Sequence, residues 1–391
     1  MDIACNNNAV QSSYKQCTRC LMDTSAAGIH FDENGYCNYC TDYKNNMSAV
    51  VFESSESKSA RLIDFVNRVK ANGKGKPYDC VIGVSGGVDS SWTLVKAVEL
   101  GLRPLAVHMD NGWNAELAQN NISNIVKTLG LDLHTHVINW AEYKKLMQAF
   151  FDADVIDVEL LYDNAMLAVN YDMAKKYGLN YILSGSNSAT EGMSMPINWN
   201  WFKFDKKNIF SIAKKFGVKK IKTFPAFSSL DYVMCEYVRG IKWIPFLDYL
   251  HYNKDEALAI LEKDYGYKRY PYKHYESIFT RFYQGFLLPK KFGVDKRLMH
   301  FSSLIMAGQM SREEALEKAS GLAYESEEKL RDDKQYFLKK MGWSEQHLSD
   351  YLARKEIPHS DYGSEKSQWN FMLNLRSKLP KALVKAMKKG K

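Results

Sequence analysis

The sequence predicts an α/β fold: a doubly wound parallel sheet preceded by an N-terminal four-cysteine zinc module and followed by a helical C-terminal region. Three observations carry this. From Tyr78 onward short apolar runs alternate with segments of helical periodicity, the pattern of strands joined by crossover helices. The turn Ser85-Gly86-Gly87-Val88-Asp89-Ser90-Ser91 joins the first apolar run to the first helix. Four of the seven cysteines come as two C-x₂-C pairs near the N-terminus.

The cysteine pairs come first in the chain. Cys17-Thr18-Arg19-Cys20 is separated by sixteen residues from Cys37-Asn38-Tyr39-Cys40, with turn residues at Asn34-Gly35. Each pair presents two thiolates, and four thiolates at this spacing suit one tetrahedral zinc ion. Two disulfides are disfavoured because Met1 to Asn8 lacks the basic-then-apolar pattern of a signal peptide; iron–sulfur ligand spacings usually differ. Such a closed site is structural, and its metal would contribute roughly 10–16 kcal/mol of apparent binding energy. Residues 1–45 are expected to form this module. Residues 46–77, rich in Ser, Asn and Lys, read as a linker containing a helix over Ala60 to Val69.

Residues 78–230 carry the sheet. Strands are expected at Cys80–Val84, Pro104–Met109, Leu133–Ile138, Tyr181–Ser184 and Ile221–Ala226. In doubly wound sheets ligands sit beyond the carboxyl ends of the strands. The first such end is the Ser85–Ser91 turn. Gly86 and Gly87 let the backbone approach a ligand, the Ser85 and Ser90 hydroxyls can donate to phosphate oxygens, and the helix start adds unpaired amides. Asp89 is out of place in a bare anion cradle and makes sense as a ligand of Mg²⁺ bridging it to a polyphosphate. No Lys-[Ser/Thr] follows the glycines, so this is not a Walker loop. The next ends place His108 and Asp110 beside the loop and Gly185-Ser186-Asn187 across from it, with Glu191 following. His108 also reads as a satisfied histidine at a strand terminus, and Glu191 as a capping or solvated carboxylate.

Residues 231–391 turn helical. Asn253 and Gly266 bracket a helix from Lys254 to Tyr265, and Ser311 opens another. Between them Tyr265 to Gln284 interleaves aromatic and cationic side chains, which suits an anionic ligand with a stackable base, single-stranded nucleic acid, or plain packing on the sheet. The formal charge of +8 resides mostly in Arg376 to Lys391, which holds seven basic residues and no acid. That tail reads as a frayed terminus or a basic amphipathic helix. No run of eighteen uncharged apolar residues exists, so no membrane span is expected. Cytoplasmic localisation follows. Cys80 and Cys235 read as buried small apolar residues.

The Ser-Gly-Gly-Val-Asp-Ser loop resembles that of the N-type ATP pyrophosphatases (PP-loop, adenine nucleotide alpha hydrolase-like fold), which cut ATP between the α- and β-phosphates and transfer AMP to an oxygen. Together with the cysteine pairs and the blocks Lys273-His274-Tyr275-Glu276-Ser277-Ile278-Phe279-Thr280-Arg281-Phe282-Tyr283-Gln284, Phe292-Gly293-Val294-Asp295-Lys296-Arg297 and Ser302 to Leu316, the chain resembles the N-acetyl sugar amidotransferases of the WbpG/PseA type over residues 14 to 320. Leu21-Met22-Asp23-Thr24 stands where that family often has Pro soon after the second cysteine.

The resemblance implies conversion of an acetamido group on a nucleotide-linked bacterial surface sugar into an acetamidino group, during O-antigen or flagellin glycan synthesis. ATP adenylates the amide oxygen and ammonia displaces AMP. Ser85, Gly86, Gly87, Asp89, Ser90 and Ser91 would hold pyrophosphate with Mg²⁺, and His108, Asp110, Gly185, Ser186 and Asn187 the rest of the nucleotide. Lys273, Arg281 and Arg297 are candidates for the sugar nucleotide's phosphates or uronate, and His274 and Glu276 for proton handling or orienting the carbonyl. The resemblance implies HisH-like and HisF-like partners that supply ammonia, because Asp2 follows Met1 and no cysteine sits on a nucleophile elbow. A tRNA-modifying adenylating enzyme and a non-enzymatic zinc scaffold are the alternatives. Thiolating members of the former need reactive cysteines near the nucleotide, and nucleic acid is disfavoured as a partner.

Overall fold

The computed structural model describes residues 14–270 and 275–377. Five parallel strands form one sheet: β1 (Cys80–Gly83), β2 (Pro104–Asp110), β3 (Leu133–Val137), β4 (Tyr181–Ser184) and β5 (Lys242–Pro245), in the order β3-β2-β1-β4-β5. The chain winds outward from β1 to β3, then returns through helices Trp140–Asp152 and Leu160–Lys176 to place β4 on the other side of β1. The doubly wound α/β class is thus observed. Its switch point lies between β1 and β4, and the crevice beyond the carboxyl ends of those two strands is where such sheets take ligands.

Side-chain alternation along the strands feeds two cores. Val81, Leu105 and Val107 face one together with Phe150, Phe151 and Tyr171. Cys80, Ile82 and Ala106 face the other, with helices Ser55–Gly73, Val88–Glu99 and Glu116–Leu129 laid over them. Burial of strand residues on both faces is why these runs read as continuously apolar.

The four better-marked strands lie where the apolar runs predicted, within a residue of their ends. The strand expected at Ile221–Ala226 does not form. Thr223 N–H donates to the Glu142 carboxylate (2.9 Å), as does Lys222 N–H, and Asn164 brackets Phe227 through both its N–H (2.8 Å) and its carbonyl (2.7 Å). Helix side chains satisfy this backbone, so no neighbouring strand is needed. The fifth strand comes from beyond residue 230, where Lys242–Pro245 pairs with β4. The linker helix is longer than its periodicity suggested: it runs Ser55–Gly73, capped by the Ser54 hydroxyl on Ser57 N–H (3.3 Å). Helix Lys254–Tyr265 has the expected limits, with Asn253 accepting from Asp255 and Glu256 N–H groups and Gly266 closing it at φ 63°.

Candidate functional site

The turn after β1 is partly open to solvent at Ser85, Gly87, Asp89 and Ser90. Gly87 starts helix Val88–Glu99 with no side chain capping it, so the positive end of the helix and its unpaired amides face outward. Ser85 and Ser90 lock the turn: Ser85 N–H donates to Ser90 Oγ (3.3 Å), Gly87 N–H to Ser85 Oγ (3.3 Å), and the two hydroxyls are 3.2 Å apart. Gly86 adopts φ 85°, and a Cβ there would lie 2.7 Å from the Ala118 carbonyl oxygen, so only glycine fits. Asp89 accepts a hydrogen bond from the Tyr252 phenol. Burial, then the Asp89 charge, push the pKa of Tyr252 up, so it stays a donor. Ser91 is buried on the inner side of the helix and does not face a ligand.

The loop after β4 closes the crevice. A Cβ on Gly185 would come within 2.6 Å of the Asp89 carbonyl carbon and 2.7 Å of Ser90 N, so the two loops touch backbone to backbone. Ser186 is exposed there. Asn187 is buried and spent on its own loop: its Oδ1 caps Thr190 N–H (2.8 Å) at the start of the short helix Ser188–Glu191.

His108, expected to meet the nucleotide, has both ring nitrogens engaged. Nδ1 is 2.9 Å from the Val84 carbonyl, to which it donates, leaving Nε2 to accept from Asn114 Nδ2 at 2.9 Å. It is the satisfied histidine of a strand terminus. With Asp110 it lines a recess of about 350 Å³ between β3 and helix Glu116–Leu129. Asp110 fixes the following turn through Gly112 N–H (2.7 Å) and Asn114 Nδ2 (3.2 Å).

The aromatic and cationic stretch frames the loop. Tyr267 and Tyr270 both donate to the Gly86 carbonyl (3.1 Å each), and Asn121 pins Lys268 through its N–H and carbonyl (2.9 Å each). Beyond the undescribed residues, Glu276 carbonyl accepts from Ala115 N–H (2.9 Å) and Ile278 N–H donates to the Trp113 carbonyl (2.9 Å), fastening this segment to the end of β2. The Glu276 carboxylate oxygen consequently sits 3.7 Å from where a Gly87 Cβ would be.

Two expected substrate contacts need correction. Arg281 is 6% exposed and forms a two-pronged ion pair with Asp333 (Nη2–Oδ1 2.7 Å), its guanidinium 4.4 Å from the Tyr275 ring. Arg297 is forked onto Asp295 (2.7 and 3.0 Å) and reaches the Gly321 carbonyl (3.2 Å). Both cations serve packing. The signal that misled is Arg in an aromatic context, which fits a buried planar ion pair as well as a ligand. Lys273 and His274, like Cys5 and the basic tail beyond Ser377, lie outside the described residues.

Sequence reasoning missed the acids and lysines at the head of helix Leu160–Lys176. This helix runs into β4, which is parallel to the other strands, so its N-terminus lies at their carboxyl ends. Asn170, nearly three turns in, packs against Gly83, a Cβ there meeting its Oδ1 at 3.0 Å. Lys203 Nζ bridges Asp157 (2.6 Å) and Asp163 (2.8 Å), and Lys296 pairs with Glu159 (3.1 Å), which also accepts from Gln284 (2.8 Å). Burial, partly offset by Lys203, pushes the Asp163 pKa up, although 34% of its side chain is accessible. Its neighbour Tyr162 has its pKa raised by burial and then by the charges of Asp163, Glu276 and Asp110. No spacing motif marks these residues, because they converge from separate loops.

Cys17, Cys20, Cys37 and Cys40 are fully buried, with their sulfurs all within 4.8 Å of one another. Sulfur–sulfur separations of 3.7, 3.6 and 3.6 Å match the roughly 3.8 Å edge of a tetrahedron with Zn–S near 2.3 Å. Arg19 donates Nε and Nη2 to Cys40 Sγ (3.2 and 3.0 Å), the kind of outer hydrogen bonding that supports a thiolate. The four thiols could therefore hold a zinc ion. The module is docked by Leu21 N–H on Ser302 Oγ (3.0 Å) and by Arg312 on the Cys17 carbonyl (3.0 Å). No helix among the described residues is long and apolar enough to cross a membrane.

Residues 276–376 match the family described as LPS biosynthesis protein WbpG-like, C-terminal domain. No curated protein matches the chain. Among solved structures, similar ones include NMN synthetase from Francisella tularensis (16% identity, 56% of this chain and 98% of that one, TM-score 0.30). Another is NH3-dependent NAD synthetase from Campylobacter jejuni (16% identity, 65% and 96%, TM-score 0.28). A third is a predicted tRNA methyltransferase subunit from Methanocaldococcus jannaschii (14% identity, 47% and 75%, TM-score 0.27). At this level they resemble the chain in outline only.

Proposed function

We propose, from the WbpG-like C-terminal domain at residues 276–376, that this chain is an ATP-dependent amidotransferase that turns an N-acetyl group of a bacterial surface sugar into an acetamidino group. The observation that supports it best is the position of Glu276: the first residue of the WbpG-like region packs beside Gly87 of the uncapped loop. The family's domain and an anion cradle therefore share one crevice.

An amide carbon is a poor electrophile and its oxygen a poor leaving group. Transfer of AMP from ATP to that oxygen gives an O-adenylyl imidate and pyrophosphate; ammonia then adds to the carbon, AMP departs, and the nitrogen sheds a proton. Ser85, Gly87 and Ser90, with the first-turn amides, bind and orient the polyphosphate where negative charge develops. Asp89, oriented by Tyr252, would hold Mg²⁺, whose charge supports departure of pyrophosphate. The 350 Å³ recess by Asp110 is the place for the nucleoside. Glu276 and Asp163 face the reacting amide, and Asp163, with its pKa raised, takes the proton released from the incoming ammonia. The tetrathiolate site holds zinc as a structural ion. Ammonia comes from a separate glutaminase and channelling subunit, and the chain works in the cytoplasm, where ATP and sugar nucleotides are made.

The test is AMP and pyrophosphate formation with an N-acetylated sugar nucleotide and ammonium, compared with bulk tRNA. Turnover stimulated by the sugar alone is expected. Stimulation by tRNA alone would replace this reading with tRNA adenylation, and no AMP or pyrophosphate formation with either would leave only a scaffold.

A further inference from the structure

Between Lys203 and Lys222 stand eight lysines, no arginine and one acid, Asp205. Asp205 is fully buried, where it caps Asn208 N–H (3.0 Å) and accepts from the Trp201 indole (2.8 Å), and Lys203 is held by Asp157 and Asp163. Lys207, Lys214, Lys215, Lys219, Lys220 and Lys222 are exposed, and none of the six forms an ion pair with a described residue. Helix Lys206–Lys215 turns Ile209, Ile212 and Ala213 into the core, which sends Lys207 and Lys214, about two turns apart, outward together. The bordering acids are engaged by backbone: Glu142 takes the amides of Lys222 and Thr223, and Glu365 those of Lys207 (3.1 Å) and Ser229 (2.7 Å). Asp361, beside Tyr362, is exposed and sets one negative charge against six positive ones. Residues 1–375 as a whole are close to neutral, so this is a local cationic face.

The C-terminal helix leaves the body at this face. Glu365, which holds Lys207 N–H, immediately precedes helix Lys366–Ser377, and a Cβ on Gly363 would lie 3.4 Å from Lys207 Cε. Trp369 anchors the helix on Phe202 and Phe204, its ring centroid 5.2 and 5.6 Å from theirs, yet Phe371 and Leu373 remain 68% and 41% exposed. In the sequence that follows, Leu375, Leu379, Leu383 and Met387 recur at every fourth position, while Lys378, Lys381, Lys385 and Lys388 fall between them. Spacing of this kind sets an apolar face against a basic one in helices that lie at a lipid–water boundary.

We propose that the Lys207–Lys222 face and the C-terminal segment together form a docking surface for an anionic phospholipid bilayer. The lysines attract the headgroups, each one that reaches the surface adding about fivefold in binding, and Phe371, Leu379, Leu383 and Met387 enter the boundary below them. Nucleic acid is the less fitting polyanion. It offers no apolar phase for the leucines, and the face lacks arginine, the residue suited to phosphate forks and base edges. The surface is independent of the amidotransferase reading, because no residue of the phosphate loop takes part in it.

The experiment floats the full chain with vesicles of phosphatidylcholine alone or of phosphatidylcholine with phosphatidylglycerol, and titrates it separately with bulk RNA. Binding to the anionic vesicles is expected to exceed that to the neutral ones by at least about tenfold and to fall in about 1 M salt, where the Debye length is roughly 3 Å. Lys214→Gln combined with Lys215→Gln, Lys219→Gln and Lys220→Gln removes exposed charge that no acid pairs, so the melting temperature should stay near wild type while vesicle binding drops by at least about tenfold. Deletion of the residues after Ser377 should weaken binding similarly. Leu379→Ser with Leu383→Ser keeps every charge and is also expected to cost about tenfold, through lost apolar burial. Retention of binding by the serine variant would mean adsorption by charge alone, and RNA bound more tightly than the anionic vesicles would assign the face to nucleic acid; either overturns the proposal. Equal binding to the two kinds of vesicle, or undiminished binding by the lysine variant, overturns it as well.

Discussion

Tyr43, in the helix Asn38–Asn46 that Cys37 caps and that contains Cys40, donates a 2.9 Å hydrogen bond to the carbonyl of Ser188, the first residue of the short helix beyond β4. The packing is close: a Cβ on Gly192 would fall 2.6 Å from the Tyr43 ring. The cysteine module thus props the loop that closes the crevice opposite Ser85–Ser90.

Metal removal should therefore be felt at the site. Chelation, or Cys37→Ser, is predicted to remove bound zinc, lower the melting temperature, and speed amide exchange across Ser188–Gly192 more than in β1 and β2, because a structural zinc carries folding energy. Exchange at Ser188–Gly192 that ignores chelation would disprove the coupling. Tyr43→Phe should retain the metal and cost about 1 kcal/mol, the worth of one hydrogen bond.

A graded pair of variants tests the loop. Asp89→Asn keeps the shape but removes the charge offered to a cation, and is expected to lower pyrophosphate release by at least about a hundredfold. Tyr252→Phe leaves the carboxylate and removes only its orienting donor, so a loss nearer tenfold is expected. Equal losses in the two variants would mean that Tyr252 does more than orient Asp89.

Arg281 offers a check on the corrected assignment. A forked ion pair of this kind, buried with Asp333, is not reproduced by lysine, and breaking one partner typically costs about 3–5 kcal/mol. Arg281→Lys is predicted to lower stability in denaturant titration while the KM for ATP and for the sugar in the folded fraction stays near wild type. A large KM change at unchanged stability would return Arg281 to the substrate.

His359 predicts an acid-side loss of stability. Its Nδ1 lies 2.8 Å from Asn208 Oδ1 and its Nε2 accepts from Asp157 N–H at 3.1 Å, an arrangement available only to the neutral ring. Burial first, then Lys203 and Lys366 against the opposing pull of Asp157, bring its pKa down to about 3. Between that value and the ordinary one near 6.5 the unfolded chain binds the proton and the folded chain does not. Stability from this group is thus complete above about pH 6.5 and falls on acidification by up to about 1.4 kcal/mol per pH unit. Unfolding free energies measured between about pH 7 and pH 5, a window that spans the ordinary histidine pKa, should fall more steeply for wild type than for His359→Gln; equal slopes would exclude His359 as the cause.

How much of this was legible in the sequence follows from how local each feature is. The Ser85–Ser90 turn, the C-x₂-C pairs, four strands and the limits of helix Lys254–Tyr265 depend on neighbours within a few residues, and the sequence displays those neighbours directly. The fifth strand was misplaced because Glu142 and Asn164, far away in the chain, satisfy the backbone at 222–227. Asp163, Lys203 and Glu159 gave no signal, since their meeting point exists only after helix Leu160–Lys176 folds back against the sheet. Tyr267 and Tyr270 were visible as part of an aromatic stretch, but their shared bond to the Gly86 carbonyl was not.

The last prediction concerns the source of nitrogen. Glutamine hydrolysis by a cysteine enzyme needs an accessible thiolate, favoured by a lowered pKa. Among the described cysteines four are gathered in one buried cluster, and the other two point the opposite way. Cys80 is fully buried in β1 and Cys235 is 3% exposed, and burial pushes both thiols above their ordinary pKa. Neither is placed to attack an amide. The protein should therefore form amidine with ammonium salts, faster as pH rises and free NH₃ increases, and should use glutamine only when a separate glutaminase is added. Comparing product formed from ammonium chloride with that from glutamine, before and after thiol alkylation, checks this. Turnover on glutamine by the isolated chain that alkylation abolishes would show a nucleophilic cysteine and refute the need for a partner.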